Sequence, residues 1–146
     1  MMTSKNSSAA KLRVVIDTSV YVAAAFQTGL SEDLLLNAER EAFKLFISPA
    51  IIQELEKVLA RKVMLSDPRK TLLLKQLSRI AKLVKPIELV YEPKLRDKND
   101  LHILECAVAA KANLIITLDQ DLLKLKKFRQ IGIVHPKTFR WIVPEK

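Results

Sequence analysis

The chain of 146 residues contains one cysteine, two histidines and two glycines. A single cysteine excludes a disulfide framework within the chain, and two histidines leave too few ligands for a structural zinc site. So little glycine, in a chain that is 49% hydrophobic, excludes a disordered composition and predicts a packed core. No apolar run approaches the roughly 20 residues that span a bilayer, so no membrane contact is expected. The first eleven residues, MMTSKNSSAAK, lack the apolar stretch of a signal peptide and read as a disordered tail. The expectation is a cytoplasmic protein with one domain over residues 12–143.

What the chain has in excess is positive charge, a net +9. Residues 57–87 carry nine basic residues and one acid, and residues 122–144 carry six basic residues and no acid. The remainder is therefore net acidic. Solvated helix faces rich in lysine explain part of this, but the surplus also suits a polyanionic partner such as nucleic acid. The position of the acids decides how it is read.

Leu12–Ile16 is a short β-branched run of buried-strand composition, ending at Asp17, after which Thr18 or Ser19 can cap a helix over Val20–Phe26. Ser31-Glu32-Asp33 opens a helix to about Phe43, Leu45–Ile47 forms a second strand, and Ser48-Pro49 starts a helix to about Met64. Asp67-Pro68 repeats that start signal for a helix ending near Lys85. Ile87–Tyr91 reads as a third strand, Asn99 or Asp100 opens a helix to Lys111, and Leu114–Thr117 is a fourth strand. A short helix over Asp121–Lys127, a fifth strand at Ile133–Val134 and a last helix from Pro136 through Trp141 complete the chain, with no hairpin signal. Alternating strands and helices predict an α/β fold, a central parallel sheet of about five strands covered on both faces.

Ligands of such sheets bind beyond the carboxyl ends of the strands. Asp17 directly follows the first strand and Asp119 follows the fourth by two residues, so both fall on one rim. Asp100 shares its helix face with Ile103, Leu104 and Ala107, which points the carboxylate inward. Asp97 lies one turn earlier. Each acid has a plainer role open to it as a helix cap or dipole acid, but together they predict a pocket where carboxylates repel one another. A divalent cation removes that conflict, and hard oxygen ligands suit Mg²⁺ or Mn²⁺. On the helix after the second strand, Glu54 and Glu56 flank the apolar stripe on opposite edges, and periodicity does not choose between them.

Four stretches, VVIDTSVYVAA, FISPAIIQELEKVLARK, RDKNDLHILECAVAAKANLIITLDQDLL and IGIVHPKTFRWI, occur in an order and at separations that resemble the PIN-domain family. These are metal-dependent nucleases that include bacterial toxins of toxin–antitoxin pairs. The resemblance covers nearly the whole chain from residue 12 and implies a three-layer α/β/α PIN-like fold. Carried over by motif, it makes Asp17, Glu54, Asp100 and Asp119 the catalytic, metal-binding acids, with Glu54 rather than Glu56 on its helix. Asp97 and Asp121 match acids carried by one branch of the family, and Thr18, Ser19 and Thr117 match hydroxyl positions beside the first and fourth acids. Leu118 stands where glycine is frequent and Gln120 where lysine is common. The implied activity is an endoribonuclease acting on single-stranded or structured RNA with Mg²⁺ or Mn²⁺, and the implied protein partner is a cognate antitoxin.

Arg61, Lys62 and Lys98 are the cations assigned to substrate binding. With eight aromatic residues, elaborate base readout is not expected; Tyr21 and Trp141 are the candidates for base stacking, with core packing the commoner role for both. His102 is expected to project outward, and neither it nor His135 has a nucleophile at catalytic spacing; Cys106 reads as a packing residue. The Leu72-rich helix is mostly core, with an apolar arc wide enough for an antitoxin or for a homodimer or higher homo-oligomer. An RNA-processing nuclease without an antitoxin, or a non-catalytic nucleic-acid-binding module, are the alternatives. A signalling receiver domain also has an acid after its first strand, but needs two adjacent early acids and an Asp ending the third strand, which are missing here.

Overall fold

The computed structural model describes residues 11–26 and 29–142, and the side chains up to Phe139. The expected tail, Lys11 apart, and the Trp141 side chain lie outside the described residues. In chain order the elements are β1 (Arg13–Ile16), α1 (Thr18–Ala25), α2 (Gly29–Glu39), β2 (Lys44–Ile47), α3 (Pro49–Ala60), α4 (Asp67–Ile80) and β3 (Ala81–Leu83). There follow α5 (Lys98–Ala110), β4 (Leu114–Ile116), α6 (Gln120–Leu125), β5 (Lys127–Phe128), β6 (Ile131–Val134) and α7 (Pro136–Ile142).

The short apolar runs become strands because both faces of the sheet are covered. Val14, Val15, Ile16, Ile115 and Ile116 are fully buried, as continuous apolar strands of a parallel sheet must be. The sheet has six strands in the order β3-β2-β1-β4-β6-β5, parallel except for β5. β1 lies centrally, with Val15 beside Phe46 of β2 on one side and Ile115 of β4 on the other. Leu55, Leu59, Ile103, Leu104 and Leu122 from the helices fill the layers against it. At the far end Phe139 of α7 meets Phe43 edge to face, with ring centroids 5.1 Å apart. Among the described residues no helix is long and apolar enough to cross a membrane.

The structure corrects several expected boundaries. The third strand is Ala81–Leu83 rather than Ile87–Tyr91. Helix α4 stops at Ile80, and Ala81, Lys82 and Leu83 pair with Leu45, Phe46 and Ile47. Pro86 has no N–H to extend that ladder. Beyond it Ile87, Leu89 and Tyr91 are exposed, and the segment is tied down by the buried Val90, whose N–H donates to the Glu105 carboxylate at 3.1 Å. A hairpin without a sequence signal joins β5 to β6, because Arg129 itself adopts the left-handed backbone (φ 56°) that glycine or asparagine would announce. Helix α2 begins at Gly29, placing Ser31 inside it and buried, and ends at Glu39 rather than Phe43. Helix α3 ends at Ala60, leaving Val63 and Met64 exposed beyond it. Ser48 caps α3 as expected, accepting from the Ile51 N–H.

Candidate metal centre

The carboxyl ends of β1 and β4 lie side by side, and the backbone ladder continues past both, with the Asp17 N–H donating to the Ile116 carbonyl at 2.9 Å. Asp17 occupies the cap position of α1, ahead of the Thr18 or Ser19 expected there, yet its side chain makes no cap bond. Its Oδ2 instead accepts from the Ser19 hydroxyl at 2.9 Å and from the Thr117 hydroxyl at 2.7 Å. Both hydroxyls also accept, Ser19 from the Leu118 N–H and Thr117 from the Asp119 N–H. Two hydroxyls thus lock the end of β1 to the end of β4 and hold one carboxylate oxygen between them. The Ser19–Leu118 bond has no signal in the sequence, since it joins residues 99 apart.

Asp119 caps α6 through its Oδ2, which accepts from the Leu122 N–H at 3.1 Å. Asp97 caps α5 through the Asn99 N–H at 2.9 Å, so the helix starts at Lys98, earlier than expected. That start places Asp100 in the first turn with its side chain buried. The inward direction inferred from Ile103, Leu104 and Ala107 is the one observed: all three are buried beside it.

A cleft of about 380 Å³ is lined by Asp17, Thr18, Ser19, Val22, Glu54, Val58, Lys62, Asp97, Asn99, Asp100 and Asp119. Glu54, Val58 and Lys62 come from one face of α3 and its end at successive four-residue steps, which settles what periodicity left open: Glu54 is half-buried on the cleft while Glu56 is exposed and does not line it. Of the cations assigned to substrate, Lys62 lines the cleft; Arg61 and Lys98 are exposed and do not. Asp121 is exposed, but Asp100, Asp119 and Asp121 each offer an oxygen within 4.8 Å of the others. Asn99, in the sequence only a candidate helix start, also lines the cleft.

The electrostatics of the cleft are those of crowded carboxylates. Burial pushes the Asp100 carboxyl up to about 7, reinforced by the charges of Asp119, Asp17 and Asp97. Asp17 is also raised, chiefly by burial and further by Asp119, against the lowering effect of the Thr117 and Ser19 hydrogen bonds. Carboxylates in this state favour either a shared proton or a cation. The donor set is all hard oxygen, so the residues present fit Mg²⁺ or Mn²⁺ rather than a thiophilic metal.

The remaining candidates fall outside the cleft. Tyr21 is fully buried and so is not placed to stack a base, and Cys106 is buried with its thiol pushed up to about 12 by burial. His102 does not project freely outward as expected: it is half-buried, and its Nδ1 is enclosed without a hydrogen-bond partner. His135 Nδ1 accepts from the Lys137 N–H at 3.0 Å, a local turn contact.

The sequence pattern of the PIN domain matches residues 13–121. Solved structures resemble the fold, among them PAE2754 from Pyrobaculum aerophilum, with 19% identity and a TM-score of 0.63 over 88% of this chain and 86% of that one. Another is VapBC2 from Rickettsia felis bound to a DNA fragment from their promoter, with 15% identity and a TM-score of 0.59 over 85% of this chain and 98% of that one. Identities this low establish a shared fold. No curated protein sequence matches the chain.

Proposed function

Because the chain belongs to the PIN-domain family, we propose that it is a divalent-metal-dependent endoribonuclease, the toxin of a toxin–antitoxin pair acting in the cytoplasm. The observation that carries this reading is the convergence of Asp17, Glu54, Asp97, Asp100 and Asp119 on one cleft with Lys62 at its edge. The toxin role draws on the likeness in fold to VapBC2 and on the basic character of the chain.

In this reading Asp17, Asp100 and Asp119 hold the metal, with Asp121 beside the latter two and Glu54 on the helix that lines the same cleft. A bound Mg²⁺ or Mn²⁺ supplies a water of lowered pKa and neutralises charge on the phosphate. The protein's own contribution is orientation. Ser19 and Thr117 fix one oxygen of Asp17, and the Leu122 N–H fixes one oxygen of Asp119, so neither acid swings when charge enters the cleft. Lys62 offers a cation to a phosphate oxygen that the acids would otherwise repel, with Arg61 and Lys98 as more distant contacts. Backbone charge then dominates RNA affinity, and activity falls as salt rises.

Incubation of a labelled single-stranded RNA with the protein and Mn²⁺ or Mg²⁺, against EDTA and Asp17→Asn controls, tests this. Cleavage confined to the wild type with metal is expected. RNA that is bound but cut no more by the wild type with metal than in the two controls would overturn the nuclease reading and leave a binding module.

A further inference from the structure

The carboxyl rim of the sheet carries a second hollow, and this one is uncharged. The Thr117 N–H donates to the Val134 carbonyl at 3.0 Å, so the next residues, Leu118 after β4 and His135 after β6, leave the sheet side by side. With Ala23, Gly29, Leu30 and Pro136 they line a hollow of about 260 Å³. No lysine, arginine, aspartate or glutamate is among its described lining residues.

The hollow adjoins the acidic cleft. Val22 lines the cleft and Ala23, the next residue of α1, lines the hollow; Asp119 lines the cleft and Leu118, the residue before it, lines the hollow. The Ser19 hydroxyl, on the cleft side, accepts from the Leu118 N–H at 3.2 Å and ties the two walls together. The partition between them is one residue thick.

An uncharged, largely apolar hollow offers no charged partner to a metal or a phosphate. It suits the flat apolar faces of a nucleobase, and its volume, below the range of pockets for drug-sized ligands, admits one base without its sugar and phosphate. The His135 ring supplies a polar edge. Its Nδ1 accepts from the Lys137 N–H at 3.0 Å, so in the neutral ring Nε2 carries the proton and is the donor. An imidazole can stack on an unpaired base and donate to its edge.

We propose that this hollow receives one unstacked base of the RNA strand whose phosphate lies in the acidic cleft, with His135 reading the edge of that base. The proposal rests on the ribonuclease reading for the position of the strand, and adds to it a sequence preference at one fixed nucleotide beside the cut. Backbone charge sets affinity, and the hollow sets which sequences are held in register.

Fluorescence anisotropy with labelled rA, rC, rG and rU hexamers tests this without cleavage, on Asp17→Asn in Mn²⁺, with His135→Ala and Gly29→Leu added singly. A Cβ at Gly29 meets no atom within 4 Å and its φ is not positive, so the leucine fills space without backbone strain. His135→Gln serves if loss of the ring unfolds α7. The tightest and weakest hexamers should differ by at least about fivefold, the worth of one hydrogen bond, and each variant should bring all four within about twofold. Equal affinities before the second substitution overturn the hollow as a base site, as does a ratio that survives either variant or a loss shared equally by all four hexamers. Cleavage of a random RNA pool by the wild type with Mn²⁺ separates the two readings. Cutting with no preferred base at a fixed position overturns the hollow and leaves the nuclease; no cutting, with hexamer discrimination intact, overturns the nuclease and leaves a base-binding site.

Discussion

The two ends of the sheet differ in sign, and differ more in burial. At the carboxyl end Asp17 and Asp100 are each 7% exposed and lie in one cleft with Glu54 and Asp119. At the amino end Lys11, Lys44 and Lys82 are exposed. An exposed lysine keeps its water and costs the fold almost nothing, whereas a buried carboxylate among others costs stability unless something neutralises it. The carboxyl end is therefore where the fold gives up stability for chemistry, and the amino end is merely available.

The comparison is most directly broken at Asp17. Asp17→Asn keeps shape and removes charge, and should lower metal-dependent RNA cleavage about a hundredfold while the far-UV circular dichroism is retained. Cleavage at the wild-type rate would mean the carboxyl end holds no catalytic metal. Next in size, Mn²⁺ at about a hundred times its dissociation constant should raise the unfolding free energy by about 2.7 kcal/mol. Asp100→Asn should remove most of that gain; a thermal melt unmoved by Mn²⁺ would show the acids bind none.

Thr117→Val removes the donor to Asp17 and the acceptor for the Asp119 N–H, and should cost about 2 kcal/mol in urea unfolding. A neutral result would mean water replaces the hydroxyl. The pH dependence in EDTA is an independent test of the same end. The Asp100 carboxyl moves from 3.8 when unfolded up to about 7 when folded, so the folded state holds the extra proton between those values. Its contribution is full below pH 3.8 and is lost as pH rises through about 7, after which it is flat. Melts that gain stability across that interval from this group, isolated by comparison with Asp100→Asn, would reverse the sign. The smallest effect is at the amino end, where Lys44→Gln should change stability by no more than about 0.5 kcal/mol.

The acids were legible because strand ends and helix starts punctuate a sequence. Asp17 follows a run of β-branched residues, and Asp100 sits above Ile103, Leu104 and Ala107, so position and direction both show in the spacing. Glu54 is not legible by pattern, since Glu56 flanks the same stripe and only packing of α3 against the cleft separates them; Glu54, which the family resemblance implies, is the one that lines the cleft. Asp121 matches an acid carried by one branch of the family, and its oxygen lies with those of Asp100 and Asp119. Ala81–Leu83 was missed as a strand because an edge strand of three residues, two of them exposed, needs no apolar pattern. Ile87–Tyr91 has strand composition, but it follows Pro86, and Ile87, Leu89 and Tyr91 stay exposed with no strand paired to them. The β5–β6 hairpin was missed because its turn residue is Arg129.

The short outer strands have a further bearing on how copies of this protein meet. One edge of the sheet ends in three-residue β3 with Lys82 at its centre, and the other in two-residue β5 beginning at Lys127. Edges so brief, each carrying a lysine, are poor templates for an incoming strand. Growth of the sheet by strand addition is thereby disfavoured, and helix and loop surfaces are the better ground for self-association.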